Sequence, residues 1–262
     1  MSIFESIILG IVQGLTEFLP VSSSGHLVLL QNIFGMSEPH LFFDTMLHLG
    51  TLVAVIVVMR KSIIDLLRHP LSKLMLYLII ATVPAVVFGV LFNSVIEGTF
   101  SGVYLGYGFL FTAIVLSLAE ILGKRAPKKK EVGLLGSIVM GFMQVIAMFP
   151  GVSRAGCTIA GGLALGIDRK KVANFSFLMS IPVILGSVVY QGVGIIRSEN
   201  VTIDWLPTII GTVCAAVCGY FAVRFMLALI TERRLYGFAI YVAILGVFVL
   251  LDQYVLGLIS WA

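Results

Sequence analysis

Charge is what this chain has least of. Only 11% of its 262 residues are Asp, Glu, Lys or Arg, while 59% are hydrophobic. A soluble domain carries about a quarter charged residues, and so little charge cannot cover a water-facing surface. The composition excludes an ordinary soluble protein and predicts an integral membrane one. Cysteine is scarce as well. Cys157, Cys214 and Cys218 are odd in number and lie in apolar or glycine-rich surroundings, which reads as packing rather than a disulfide framework or metal cluster. No Lys or Arg precedes the first apolar stretch and no small-residue cleavage site follows it, which argues against a removable signal peptide. The net charge of +4 is spread over short loops rather than gathered on one face, so no nucleic-acid partner is expected.

Long apolar runs are what the chain has in plenty. Six stretches, 42–59, 74–96, 102–122, 172–195, 205–230 and 235–258, are of a length to cross a bilayer, which takes roughly 20 residues. Residues 1–41 and 133–171 differ: each holds a short apolar helix pattern, a Pro/Gly/Ser break (Pro20 to Gly25; Pro150 to Gly156) and a second short helix. Neither half spans unaided, so each region is expected to be a re-entrant helical hairpin with its irregular tip buried by protein. The basic residues set the sidedness. Arg60, Lys61, Arg68, Lys73, Lys124, Arg125, Lys128, Lys129, Lys130, Arg169, Lys170, Lys171, Arg233 and Arg234 all fall on one side if residues 1–41 enter and leave from the other. That side is read as cytoplasmic and both termini as outside.

The two halves echo one another. IIATVPAVVFG (79–89) and IIGTVCAAVCG (209–219) agree at seven of eleven positions. At an offset of 131, Gly10, Gln13, Ser22 and Gly25 fall on Gly141, Gln144, Ser153 and Gly156. A hairpin plus three spans is an odd number of crossings, so the second half must lie upside down. The expected architecture is all-α, with six transmembrane helices, two re-entrant hairpins and an inverted internal repeat. The first repeat is placed at 1–122, a basic cytoplasmic linker at 123–132 and the second repeat at 133–262.

Polar chemistry concentrates in the two breaks. Gln13 and Glu17 are four apart, on one face of a short helix. Ser22, Ser23, Ser24 and Gly25 follow, with the next helix expected to begin near His26. FPGVSRAG (149–156) sets Ser153 and Arg154 just before another helix. Serine and glycine opening a helix leave backbone N–H groups free beside the positive end of its dipole, which suits phosphate. Arg154 adds a planar fork for phosphate oxygens. A carboxylate at depth costs about 2.5–3.5 kcal/mol on insertion scales, so Glu17 and Arg154 are read as functional rather than as chance polar residues. Asp44 and His48, four apart at the outer end of a span, read as residues that support the site from behind or lie at the membrane interface. Gln13 is a helper. The serines alone could be plain helix caps.

GIVQGLTEFLPVSSSGHLVL (10–29), FPGVSRAGCTI (149–159) and FDTMLHLGTLVAV (43–55) together resemble the bacterial undecaprenyl-pyrophosphate phosphatase family, associated with bacitracin resistance, over nearly the whole chain. The resemblance implies hydrolysis of undecaprenyl pyrophosphate to the monophosphate in the plasma (inner) membrane, recycling the lipid carrier for peptidoglycan and other cell-wall polymers. It implies Glu17, Ser23, His26 and Arg154 as catalytic residues, with Gln13, Ser22, Ser24, Gly25, Ser153 and Gly156 around the substrate. A divalent cation, Mg2+ or Ca2+, is implied with Glu17 as its ligand. The family carries Glu or Gln at the first position of its Glu/Gln–three residues–Glu motif, and Gln13 here leaves one carboxylate. Either Ser23 or His26 is open as nucleophile, and direct attack by water is open too. The expected partners are the polyprenyl pyrophosphate, membrane lipids and a second copy in a homodimer. SSSGH also resembles the PSGH of another lipid-phosphatase class, which needs a His six residues after its motif Arg; Ala160 stands there instead. The rival reading is a lipid-phosphate transporter using the same anion site. With three candidate residues on the outer hairpin, the site is expected to open outward.

Overall fold

The computed structural model describes residues 1–36, 41–128, 131–197, 203–232 and 234–261; Lys129, Lys130 and Arg233 of the basic set lie outside them. Every regular element among the described residues is helical. The first half comprises α1 (Ile3–Thr16), α2 (Ser23–Ile33), α3 (Leu41–Arg68), α4 (Lys73–Leu91), α5 (Asn93–Gly98) and α6 (Leu105–Arg125). The second comprises α7 (Leu134–Ile146), α8 (Arg154–Ala164), α9 (Arg169–Arg197), α10 (Trp205–Glu232) and α11 (Tyr236–Leu251). Six of these segments, Phe42–Arg68, Lys73–Leu91, Leu105–Arg125, Arg169–Val193, Trp205–Glu232 and Tyr236–Leu256, are long and apolar enough to cross a membrane.

Three expected boundaries move, each for a local reason. The first span does not stop at Met59: α3 runs to Arg68 because nothing breaks it until Pro70, so Arg60 and Lys61 ride on the helix rather than in a loop. The second ends at Leu91, where Phe92 leaves helical geometry and Asn93 and Ser94, residues that compete for backbone hydrogen bonds, begin a separate short helix. The last widens into a π turn over Asp252–Leu256 and stops at Gly257, whose φ is +61°. There the buried Asp252 carboxylate accepts from the N–H groups of Leu258 and Ile259 and from Trp261 Nε1.

Short helices and small residues bury the polar segments inside the helix bundle. α1 and α2 have 14 and 11 residues, α7 and α8 have 13 and 11. At 1.5 Å per residue these reach about 16–21 Å, short of a hydrocarbon core of about 30 Å. α1 starts on a capping box in which Ser2 Oγ accepts from Glu5 N and Glu5 returns the bond. α1 packs along α10, and α7 along α4. At the first interface a Cβ on Gly10 would stand 2.3 Å from Gly211 O, and one on Gly14 would stand 2.6 Å from Ala215 O. No larger residue fits, and the close approach is what holds helices together where lipid removes the hydrophobic drive. The three cysteines are unpaired, and Cys214 and Cys218 are side chains that Gly10 and Gly14 seat against. Below the tips, Phe18, Leu116, Met140, Ile159, Phe177 and Val223 form part of the main buried cluster.

A second ionic group locks the basic end. Glu120 on α6 takes both terminal nitrogens of Arg169 on α9, at 2.8 and 3.1 Å, and the N–H of Leu235 at 2.9 Å. Arg169 Nε donates to Ile230 O on α10 at 2.7 Å. One carboxylate thus ties α6, α9 and the α10–α11 turn. Glu120→Ala removes the acceptor shared by a part-exposed Arg169 and the Leu235 N–H and is expected to cost about 1–3 kcal/mol. The check is a lowered thermal midpoint in detergent; an unchanged midpoint would show that the lock contributes nothing.

Candidate functional site

α2 begins at Ser23, three residues earlier than the sequence pattern indicates. Ser22 is the reason: its Oγ accepts the Gly25 N–H and caps the helix. Its mate on the second hairpin is Ser153, whose Oγ accepts the Gly156 N–H at 3.0 Å and opens α8 at Arg154. The N–H groups of Gly25 and Gly156 are therefore taken by the caps, and these two glycines contribute room. A Cβ on Gly25 would lie 2.7 Å from the Phe109 ring and 2.9 Å from Gly151 Cα. The first-turn donors left over at the two helix starts are the N–H groups of Ser23, Ser24, Arg154 and Ala155, which no intrahelical carbonyl takes.

α6 fastens the second tip. Thr112 Oγ1 donates to Gly151 O and accepts from Ser153 N, both at 3.0 Å. Gly108 lets α6 pass close beneath: a Cβ there would sit 2.3 Å from Pro150 O. The two tips then meet around Glu17, whose side chain is 5% exposed. Oε1 accepts from Arg154 Nη2 at 2.5 Å. Oε2 accepts from Ser23 Oγ at 2.5 Å and from Gln13 Nε2 at 2.9 Å. His48 Nε2 stands 3.6 Å from the same oxygen, which brings a residue read as peripheral into the site. Arg154 lies over the Phe18 ring at 5.9 Å.

Two polar atoms here lack partners. Arg154 Nη1 and Gln13 Oε1 are both buried with no hydrogen-bond partner. One is a cationic donor and the other a neutral acceptor, the complements of a phosphate oxygen and a cation or donor. Ser24 Oγ lies 3.4 Å from Ser22 Oγ. His26 turns elsewhere: its Nδ1 meets Ser22 O and its Nε2 the Tyr241 hydroxyl, each at 2.7 Å. Of the residues the sequence reading singled out, Gln13, Glu17, Ser23, Arg154 and His48 converge on one carboxylate, Ser22 and Ser153 shape the helix starts, and His26 braces from the side. Thr112 and Tyr241 were missed. A phenolic hydroxyl inside an otherwise apolar span is the signal that could have found Tyr241.

The fold and the site define a multi-pass membrane protein with a buried serine, carboxylate and arginine cluster between two short helical hairpins. Residues 6–248 match the model of the family described as bacitracin resistance protein BacA. The chain is 44% identical over 256 residues to the undecaprenyl-diphosphatase of Carboxydothermus hydrogenoformans, covering 97% of this chain and 98% of that one. It is 41% identical to undecaprenyl-diphosphatase 3 of Bacillus cereus and 42% to the undecaprenyl-diphosphatase of Methanobrevibacter smithii, each with 97% of this chain and 98% of the relative covered. The chain belongs to the BacA family.

Arg154→Lys keeps the charge but loses the planar fork that serves Glu17 with one nitrogen and leaves the other free. Losing a hydrogen bond between charged groups is worth about 1.5–3 kcal/mol, so kcat/KM for a diphosphate substrate is expected to fall roughly 10- to 100-fold. Steady-state phosphate release checks this, and full activity would mean that a point charge suffices.

Proposed function

We propose that this protein hydrolyses undecaprenyl pyrophosphate to undecaprenyl phosphate and inorganic phosphate in the plasma membrane, returning the lipid carrier to cell-wall synthesis. The observation that carries the reading is Ser23 Oγ lying 2.5 Å from a carboxylate that also grips Arg154. A serine hydroxyl donating to a buried carboxylate is a nucleophile beside its base. The relatives named above are phosphatases by name, which supports hydrolysis over the transporter alternative.

In this reading the unpartnered Arg154 Nη1 and the free N–H groups of both helix starts hold the diphosphate. Ser23 Oγ attacks the terminal phosphorus as Glu17 takes its proton. The bond from that phosphorus to the bridging oxygen breaks, and undecaprenyl phosphate leaves with the electron pair and takes the proton from Glu17. Water then attacks the phosphoserine, giving a proton to the freed Glu17 carboxylate, which passes it to Ser23 Oγ as phosphate departs. His26 has both ring nitrogens engaged, which favours Ser23 as the nucleophile.

Mg2+ or Ca2+ fits this donor set in one way. Among the described residues no three His, Cys, Asp or Glu side chains gather into a cage, so the chain would add only Glu17 and the orphaned Gln13 Oε1, with the diphosphate supplying the remaining oxygens. Bound there, the cation would offset charge on the phosphate oxygens.

The same reading treats residues 1–122 and 133–262 as inverted repeats joined by 123–132, supported by the reciprocal packing of α1 on α10 and α7 on α4. Access from the outer face is supported by His48. Its side chain is 29% exposed, against 14% for Arg154, and it lies about 10 Å along α3 from Leu41 but about 30 Å from Arg68.

Glu17→Gln keeps the shape and removes the base. In detergent, where no leaflets exist, purified variant is expected to release less than about 1% of the wild-type phosphate, because nucleophile and base act as one unit. Near-normal turnover would remove Glu17 from the chemistry. Sidedness is tested with Ser24→Cys and His48→Cys in a background lacking Cys157, Cys214 and Cys218. A membrane-impermeant thiol reagent is expected to label them in intact cells; labelling confined to inverted vesicles would place the opening on the cytoplasmic side.

A further inference from the structure

His26 is held from both sides. Its Nδ1 lies 2.7 Å from Ser22 O; a carbonyl only accepts, so Nδ1 carries the ring proton. In the neutral ring Nε2 then offers a lone pair, and the Tyr241 hydroxyl 2.7 Å away donates to it. The two rings stack at 14° with centroids 5.7 Å apart, and Phe109 closes edge-on at 5.5 Å. Held so, neither nitrogen is free to attack phosphorus.

What the ring does hold is Ser22. Among the described residues Ser22 is the one non-glycine with positive φ, +68°, a conformation that persists only where the surroundings over-determine it. Its carbonyl accepts from His26 Nδ1 and from the His26 N–H at 3.2 Å, and its Oγ takes the Gly25 N–H. The next residue is Ser23. The backbone direction at Ser22 therefore decides where Ser23 Oγ points, and it points at Glu17.

We propose that Tyr241 is a positioning residue for the hydrolysis: through His26 it clamps the left-handed turn at Ser22 and so keeps Ser23 Oγ on Glu17. Tyr241 sits on α11, in the other half of the chain, so the nucleophile-bearing hairpin takes its alignment from a helix more than 200 residues away. Removing the phenolic hydroxyl leaves Nε2 without a donor and frees the ring to turn. The carbonyl of Ser22 then loses its side-chain partner. The inference rests on the phosphatase reading for its kinetic part only.

Tyr241→Phe keeps the stacked ring and deletes the donor. In the detergent-solubilised full chain, kcat is expected to fall about tenfold, the weight of one hydrogen bond. KM should stay within about twofold, because the groups proposed to hold the diphosphate are untouched, and the thermal midpoint should fall by only a few degrees, the cost of one unpaired acceptor. The second readout needs no turnover: with 15N-histidine, the Nε2 resonance of His26, assigned by its loss in His26→Gln, should shift in Tyr241→Phe while Nδ1 keeps its proton. An unmoved Nε2 resonance, an unchanged kcat, or a loss confined to KM would overturn the proposal. A wild-type protein that released no phosphate would instead sink the phosphatase reading, with the resonance still reporting on the Tyr241–His26 bond.

Discussion

A carboxylate and a guanidinium 2.5 Å apart, inside a chain that is 59% hydrophobic, are the constraint on which the rest of the structure turns. Neither Glu17 nor Arg154 could stay charged at depth alone, since an uncompensated ion in an apolar interior costs several kcal/mol. Each belongs to a different hairpin, 137 positions apart. Their pairing therefore requires both tips to reach the same point. The pair is also incomplete: Glu17 fills its second oxygen with Ser23 and Gln13. It leaves one buried guanidinium donor, Arg154 Nη1, without an acceptor.

Bringing the tips together falls to residues that carry no chemistry. Gly108 and Gly151 let α6 press against the second tip, and Thr112 pins that tip through Gly151 and Ser153. Gly10 and Gly14 sink α1 against α10, which carries Glu17 inward. A methyl group at any of these four glycines meets backbone at under 3 Å. Such contacts transmit position with little slack, and alignment of the reacting atoms is worth orders of magnitude in rate. The Glu120–Arg169 group ties α6, α9 and the end of α10 away from the tips.

Strain and bracing go together at Ser22. The residue is forced to a positive φ, and three hydrogen bonds from His26 and Gly25 hold it there. This is the arrangement of a short turn that must aim one hydroxyl in one direction. His26 supplies two of the three bonds, one from Nδ1 and one from its backbone N–H.

Composition and spacing were enough to read the solvent, the six long apolar helices and the serine, glutamate and arginine residues that meet. Those features follow from residue type and from period along the chain, because burying charge is costly wherever it occurs and a helix needs a set length to cross lipid. Helix ends were read less well. α3 outran its apolar stretch because only Pro70 could stop it, and α2 started early because Ser22 Oγ supplied a cap that composition does not show. The partners across the fold were not legible at all: Tyr241 on His26, Thr112 on the second tip, His48 on Glu17. Each depends on which helix lies beside which and at what rotation, and those are settled by the close packing of glycine-lined helices. The sequence by itself determined that a buried carboxylate and arginine must find each other; only the tertiary structure decided that Ser23 is the hydroxyl aimed at them, because a hydrogen bond's direction is a property of three-dimensional placement and not of order along a chain.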